Sequence, residues 1–172
     1  MTVLLLFSLT SCIKKPANLI LASFESEREL DGLVWECGRW FELTPLHRTH
    51  GMLALKVEIS PSQEPIFRVF LTENDWSTYN WFNIDVFNPE HVQLPLTIRF
   101  IDEDSDRDPG KYYTKVYALS SGLNHISIPI AEIKKGPQKR NLKLHKMKKI
   151  AVLLLKSQQK HTLYFDNIEL RK

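Results

Sequence analysis

The sequence has little cysteine, little glycine and no marked excess of charge of either sign. Two cysteines and six glycines occur in 172 residues, which excludes a disulfide-dense scaffold and a glycine-rich repeat. The net charge of +3 is too small to indicate a nucleic-acid-binding protein by itself. No phosphate-binding glycine loop, Gly-x-Ser-x-Gly motif or His-Glu-x-x-His motif is present, so none of these catalytic signatures indicates an enzyme.

The remaining composition is typical of one globular domain. Hydrophobic residues make up 43% of the chain and charged residues 25%, an ordinary balance for a folded protein. A chain of this length buries about 68–70% of its unfolded surface, so it needs no disulfide to fold. We therefore expect a single domain that occupies residues 19–172.

The first twelve residues resemble a targeting segment. Residues 3–9 are apolar, and Leu9-Thr10-Ser11-Cys12 resembles a bacterial lipobox, although no lysine or arginine precedes the apolar stretch as it does in most signal peptides. We expect residues 1–11 to be removed, Cys12 to be lipidated, and residues 12–18 to form a tether. The protein would then be lipid-anchored to a membrane of the bacterial cell envelope. The alternative is a first strand that ends in Ser-Cys.

From Asn18 onward, short apolar runs alternate with turn residues. Residues 53–59 alternate as Leu-Ala-Leu-Lys-Val-Glu-Ile, a pattern typical of a half-buried strand. No segment sustains a helical period over ten residues, and only Ile130 to Lys135 suggests a turn or two of helix. The pattern predicts an all-β fold, an antiparallel β-sandwich of nine to eleven strands with little helix. The predicted strands are 18–24, 32–37, 40–43, 53–59, 65–71, 79–87, 94–102, 111–119, 124–130, 149–156 and 162–170.

Several segments then follow one another in a familiar order. They include Phe24-Glu25, His50-Gly51, the run 82–89, the turn and strand 122–129, and the closing run 163–170. In this order the chain resembles the galactose-binding-like jelly roll of many carbohydrate-binding modules, over roughly residues 19–170. The resemblance implies a non-catalytic module whose partner is an oligo- or polysaccharide. Because fold does not fix function, the alternatives are a structural or assembly protein that contacts another envelope protein and, less favoured, a polysaccharide lyase or hydrolase.

The same resemblance implies a structural calcium ion. Modules of this type often hold calcium between their first and last strands, and the matching carboxylates are Glu25 and Asp166. Calcium takes six to eight oxygen ligands, which carboxylates and backbone carbonyls supply. The alternative is a surface carboxylate next to a terminal strand, or one that accepts hydrogen bonds from backbone amides.

A sugar-binding surface needs exposed aromatic rings beside polar groups. Along the predicted strand 79–87, Tyr79, Trp81, Asn83 and Asp85 fall on one face, whereas the other face is mostly apolar and should be core. We therefore predict that the first face binds the glycan. The full set of predicted ligand-binding residues is Tyr79, Trp81, Asn83, Asp85, Arg99 and Tyr113.

Two charged runs complete the chain. The aspartate-rich run 102–110 does not fit a helix-loop-helix calcium site, because neither Asp102 nor Asp104 is followed by a glutamate at the twelfth position. We predict a solvated hairpin there. The basic run 134–149 contains no aromatic residue, which argues against a nucleic-acid partner and favours a solvated loop leading into a strand.

Overall fold

A computed structural model describes residues 15–34, 39–61, 66–105, 108–154 and 158–172. Over these ranges the chain forms ten β-strands, two short α-helices and two 3-10 turns, at Pro109–Lys111 and Leu144–Lys146. The elements are β1 (Asn18–Ala22), α1 (Glu27–Leu30), β2 (Arg39–Thr44), β3 (Ala54–Ile59), β4 (Ile66–Phe70), β5 (Trp81–Asn88), β6 (Leu94–Asp102), β7 (Tyr113–Leu119), β8 (Gly122–Pro129), α2 (Ile130–Lys135), β9 (Met147–Leu154) and β10 (His161–Arg171).

The strands form two antiparallel sheets. The first sheet has the order β2-β3-β10-β5-β8, and β1 also pairs with β10. The second sheet has the order β4-β9-β6-β7. The predicted all-β antiparallel sandwich is therefore confirmed, and the helix expected over 130–135 is α2.

The core lies between the two sheets because side chains alternate along each strand. In β5 the inward residues Phe82, Ile84 and Val86 are fully buried. Trp76, just before β5, stacks on Phe82 with ring centroids 5.9 Å apart and meets Phe100 of β6 edge-on at 5.7 Å. Aromatic side chains bury the largest apolar areas, so this cluster joins the two sheets.

The two ends of the described chain lie side by side. Asn18 of β1 pairs with Arg171 of β10, and the Lys172 amide donates to the Ala17 carbonyl at 3.0 Å. The pairing register of β10 shifts between Asp166 and Glu169, where Asn167 has a φ of 50°. Such a bulge re-aims side chains, and here it leaves Asp166 and Glu169 on the same outer face.

The aspartate-rich run joins β6 to β7, which pair as the predicted hairpin, but the connecting loop is not simply solvated. Asp102 and Ser105 are buried, and Asp102 accepts hydrogen bonds from both terminal guanidinium nitrogens of Arg140, with Nη1 at 2.7 Å, and from the Lys143 amide at 2.8 Å. Part of the basic run packs against this loop, and four of its cations pair with four of the loop's carboxylates. We call this arrangement the charged clamp; its further ion pairs are Lys139–Asp108, Lys143–Asp104 and Lys146–Glu103.

The predicted signal segment and Cys12 lie outside the described residues. Lipidation at Cys12 and the boundaries of the tether therefore remain predictions. Within the described ranges, no helix has the length and apolarity required to span a membrane.

Candidate functional site

The outer face of the first sheet carries the candidate site. A segment between β2 and β3, residues 45–52, lies across this face, and we call it the ridge. Thr49 holds the ridge in place because its hydroxyl donates to Asp85 Oδ2 at 2.6 Å, while the amides of Thr49 and His50 donate to Asp166 Oδ2 at 2.6 and 2.8 Å. The His47 ring stacks on Phe87 with centroids 3.5 Å apart.

The ridge covers side chains that the strand pattern alone would leave in solvent. Thr44, Ala54, Asp85 and Asp166 all point away from the core, yet all four are buried. They lie at equivalent positions on neighbouring strands, since Thr44 pairs with Ala54 and Asp85 pairs with Asp166. The ridge therefore divides the outer face of the first sheet into two sectors.

One of these sectors contains a cleft of about 450 Å³ on β5, β8 and β10. Eight of its nine lining residues carry polar side chains. Trp81 does not line the cleft, but it is 43% exposed and lies beside it as the strand-pairing partner of Arg171. An aromatic ring beside many hydrogen-bonding groups is the arrangement that recognises a sugar ring and its hydroxyls. The lining residues are Thr49, Asn83, Asp85, His125, Ile126, Ser127, Asn167, Glu169 and Arg171.

The polar groups of the cleft are held by one another. Asp85 Oδ1 lies 2.6 Å from His125 Nδ1, and the His125 side chain is 68% exposed. Glu169 Oε1 accepts from Arg171 Nε at 2.6 Å and, more weakly, from Asn83 Nδ2 at 3.4 Å. Groups fixed in this way lose little conformational entropy when a ligand binds.

Two carboxylates fix the ridge through its backbone. Glu25 accepts hydrogen bonds from the amides of Met52 and Leu53, which lower the pKa of its carboxyl group. Gly51 has a φ of 59°, a conformation that favours glycine, and a Cβ there would displace the Glu25 carboxylate. For Asp166, burial raises the pKa of the carboxyl group, although the amides of Thr49, His50 and Asn167 act in the opposite direction.

These contacts bear on the expected calcium ion. The groups that face Glu25 and Asp166 are largely backbone N–H donors, and a donor cannot coordinate a cation. Among the residues that the structure describes, no three His, Cys, Asp or Glu side chains group as a metal site. The contacts match the alternative of carboxylates bound to backbone amides, and calcium stays a prediction.

The structure brings only three of the six predicted ligand-binding residues to this sector. Trp81, Asn83 and Asp85 alternate on the outer face of β5 as expected, although Asp85 is mostly covered by the ridge. Tyr79 is 3% exposed, because its amide bonds to the Trp76 carbonyl in a turn that ends before β5 begins. The alternation therefore does not extend to Tyr79, which we remove from the ligand face.

The other two predicted residues belong to the second sheet. Tyr113 points into the core, packs against Phe100 and donates its hydroxyl to Glu132 Oε1 at 2.6 Å. Arg99 lies on the outer face of the second sheet, with its guanidinium 5.5 Å from the centre of the Tyr112 ring. Neither side chain can reach the cleft, since the core separates the two outer faces.

Sequence reasoning missed more of the cleft than it found. His125 and Ser127 alternate outward on β8, so period-two counting on that strand would have selected them. On β10 the same counting places Glu169 and Arg171 on the face of buried Leu163 and Phe165, because the bulge shifts the register. Thr49 and Asn167 gave no such signal, because one belongs to an irregular loop and the other to a bulge.

No protein-family model matches the chain, and no curated protein matches it. Several solved structures, however, are similar to it. A family 11 carbohydrate-binding module from Clostridium thermocellum, in complex with a β-1,3-1,4-mixed-linked tetrasaccharide, is similar over 92% of this chain and 97% of that chain, at 14% identity and a TM-score of 0.67. A family 30 carbohydrate-binding module is similar over 82% of this chain and 87% of that chain, at 15% identity and a TM-score of 0.60.

An exo-β-agarase is also similar, at 13% identity and a TM-score of 0.71, over 88% of this chain but only 24% of the agarase. At such low identities these likenesses show the fold. They confirm the predicted likeness to the jelly roll of carbohydrate-binding modules.

Proposed function

We propose that this protein is a non-catalytic glycan-binding module, lipid-anchored in the bacterial cell envelope. The observation that carries the proposal is the cleft of polar side chains on the outer face of the first sheet, with half-exposed Trp81 beside it. Trp81 would stack on a pyranose ring while Asn83, Ser127 and Arg171 bond its hydroxyl groups. The similar family 11 module was solved with a mixed-linked tetrasaccharide, which supports the same ligand class here.

The arrangement of the acidic groups supports binding rather than catalysis. Glycosidases use a carboxylic acid and a carboxylate that are poised to exchange protons with the substrate. Here Glu169 is paired with Arg171, and Asp85 is bonded to Thr49 and His125. Both carboxylates therefore serve to position donors around the cleft.

Isothermal titration calorimetry tests glycan binding directly. The probes are oligosaccharides and polymers of mixed-linked β-glucan, xylan and agar, each with calcium and with a chelator. We expect heat with at least one probe and a loss of at least tenfold in affinity for Trp81→Ala. Phe70→Ala is the control, because it removes an exposed aromatic ring from the second sheet. Absence of heat with every probe would reject the proposal.

The anchor is tested separately. Cells that express the full chain would be grown with a labelled fatty acid, and we expect label in the wild-type protein. Cys12→Ser should abolish labelling, whereas Cys37→Ser, at the only other cysteine, should retain it. Equal labelling of both variants would exclude lipidation at Cys12.

A structural or assembly role is the second candidate. The observation that favours it is the crest of the ridge, where Leu46 and Met52 are 57% and 68% exposed, since exposed apolar side chains in one loop suit a protein contact. Capture of one defined envelope protein that depends on Leu46 and Met52, and is unchanged by glycan, would favour this role over glycan binding.

A further inference from the structure

The second sector of the outer face, on the other side of the ridge from the cleft, carries an exposed tryptophan. Trp40 lies on the edge strand β2 and is 62% exposed, more than Trp81. Among the described tryptophans, the two exposed ones both lie on the outer face of the first sheet, and Trp76 is fully buried. This distribution is unlike that of scattered apolar residues, which occur on any surface.

Fixed hydrogen-bonding groups surround Trp40. Glu58 is its partner in the strand pairing, and Glu42 lies two residues along on the same face. Lys56 Nζ bridges these carboxylates, at 3.0 Å from Glu42 and 3.2 Å from Glu58, and Lys160 Nζ lies 2.5 Å from Glu58. Hydrogen bonds from Lys160 and then Lys56 lower the pKa of Glu58, so it remains an acceptor at neutral pH.

Trp40 and Trp81 lie far apart on this face. Three strand steps separate β2 from β5, and the residues of β10 that are level with them are Thr162 and Arg171. With about 4.8 Å between strands and about 3.3 Å per residue, the two rings are on the order of 30 Å apart. The ridge lies between them.

We propose that Trp40, with Glu42 and Glu58, forms a second glycan-stacking site, so that the protein holds one long polysaccharide chain at two points. The inference rests on the proposed function and adds the preferred ligand, a polymer rather than a short oligosaccharide. A short oligosaccharide can contact only one of the two rings. A polymer that occupies the cleft presents sugars further along its chain to Trp40 at high effective concentration, so the overall affinity exceeds that of either site alone.

Calorimetry with chain-length series of the same three glycans tests this proposal. For Trp40→Ala we expect affinity for the tetrasaccharide within about twofold of wild type, and a loss of about tenfold or more for the polymer. Trp40→Phe keeps a stacking ring and should restore most of that loss. Trp81→Ala should weaken binding of both lengths, and Phe70→Ala should weaken neither.

Direct contact is visible by nuclear magnetic resonance. Trp40 gives its own indole N–H resonance, which Trp40→Ala identifies by its disappearance. In Trp81→Ala, we expect oligosaccharide to shift this resonance and to leave that of buried Trp76 unchanged. Unfolding midpoints in urea check that each variant remains folded, which is expected because Trp40 is exposed.

The outcomes separate the two proposals. If wild type binds no glycan of any length, both proposals are rejected. If glycan binding depends on Trp81 but Trp40→Ala behaves like Phe70→Ala and the Trp40 resonance does not move, the second site is rejected and glycan binding at the cleft stands. Loss of a bound protein on Trp40→Ala, with polymer affinity unchanged, would assign Trp40 to a protein contact instead.

Discussion

Two buried aspartates hold loops against the two sheets in different ways. Asp102, at the end of β6, fixes the charged clamp, and Asp166, in β10, fixes the ridge. Both accept backbone amide hydrogen bonds, but only Asp102 faces a guanidinium, that of Arg140. Burial opposes ionisation of both. At Asp102 the bonds from Arg140, Lys143 and Ser105 outweigh it and lower the pKa to about 2, whereas the pKa of Asp166 is raised.

The difference shows which charges on this protein are available to a ligand. In the charged clamp, four carboxylates of the acidic run pair with four cations of the basic run, so those charges are already engaged within the protein. On the outer face of the first sheet, Asp85 and Asp166 are bonded mainly to neutral donors. Its other carboxylates pair with lysine or arginine side chains at the two ends of the face. Groups in such a setting keep acceptor capacity for hydroxyl groups.

The largest effect is expected from removing the cation of the clamp. Arg140→Ala leaves Asp102 buried without its counter-charge, and breaking a buried ion pair in this way destabilises a protein by about 3–5 kcal/mol. Urea unfolding followed by tryptophan fluorescence measures the change. Lys139→Ala is the matched control from the same segment, because its ion pair is largely exposed; an equal loss in both variants would contradict the comparison.

The next effect concerns pH. A lowered pKa means that Asp102 stabilises the fold above its unfolded pKa near 4, and that this contribution of about 2 kcal/mol disappears as the pH falls towards 2. Asp166 acts with the opposite sign, since a raised pKa favours the fold at low pH and disfavours it as the carboxyl group ionises. Unfolding free energies across pH 2–6 should therefore depend less steeply on pH in Asp102→Asn than in wild type, and more steeply in Asp166→Asn.

A smaller difference should separate the same two variants at neutral pH. Asp166→Asn removes a buried charge that faces no cation in the contacts described above. The asparagine keeps an acceptor for the ridge amides, so we expect the free energy of unfolding to fall by only about 1 kcal/mol. Asp102→Asn leaves Arg140 without its carboxylate, so we expect a larger decrease in the free energy of unfolding. Hydrogen exchange of the Thr49 and His50 amides locates the effect of Asp166→Asn. A larger loss for Asp166→Asn than for Asp102→Asn would overturn the comparison.

The smallest effect is expected at the rim of the clamp. Lys146→Gln removes an exposed ion pair with Glu103, and such pairs contribute less than about 1 kcal/mol. The small loss should vanish at high salt because exposed charges are screened. If the free energy of unfolding fell as much as in Arg140→Ala, or if the decrease persisted at high salt, the exposed ion pairs would also stabilise the clamp substantially.

Much of the fold could be predicted from the sequence. Alternation placed Phe82, Ile84 and Val86 in the core, and apolar runs located the ten observed strands to within a few residues, because a half-buried strand has to alternate. The predicted strand 32–37 is the exception: Leu33 forms only an isolated bridge with Val69, and residues 35–37 lie outside the described ranges. The helix over Ile130–Lys135 followed from its pattern as well. Alternation could not foresee the bulge at Asn167, since a bulge changes the facing of residues without changing their composition.

The site could be predicted only in part. Trp81, Asn83 and Asp85 were found because they belong to one strand. The prediction was wrong for Tyr79 and Tyr113 because an aromatic residue near a strand belongs to the core more often than to a ligand-binding surface. It was wrong for Arg99 because periodicity does not reveal which sheet a strand joins. The contacts of Thr49 with Asp85 and Asp166 connect positions far apart in the chain, and no local pattern records them.

The neighbouring ends of the chain have a practical consequence. Asn18, Arg171 and Trp81 are adjacent in the strand pairing, so a fusion partner or a chip linkage at Lys172 would emerge beside Trp81. Trp40 would remain at the far corner of the face. Immobilisation through Lys172 would therefore shield one ring more than the other, and binding measured on a sensor surface should be compared with binding measured free in solution.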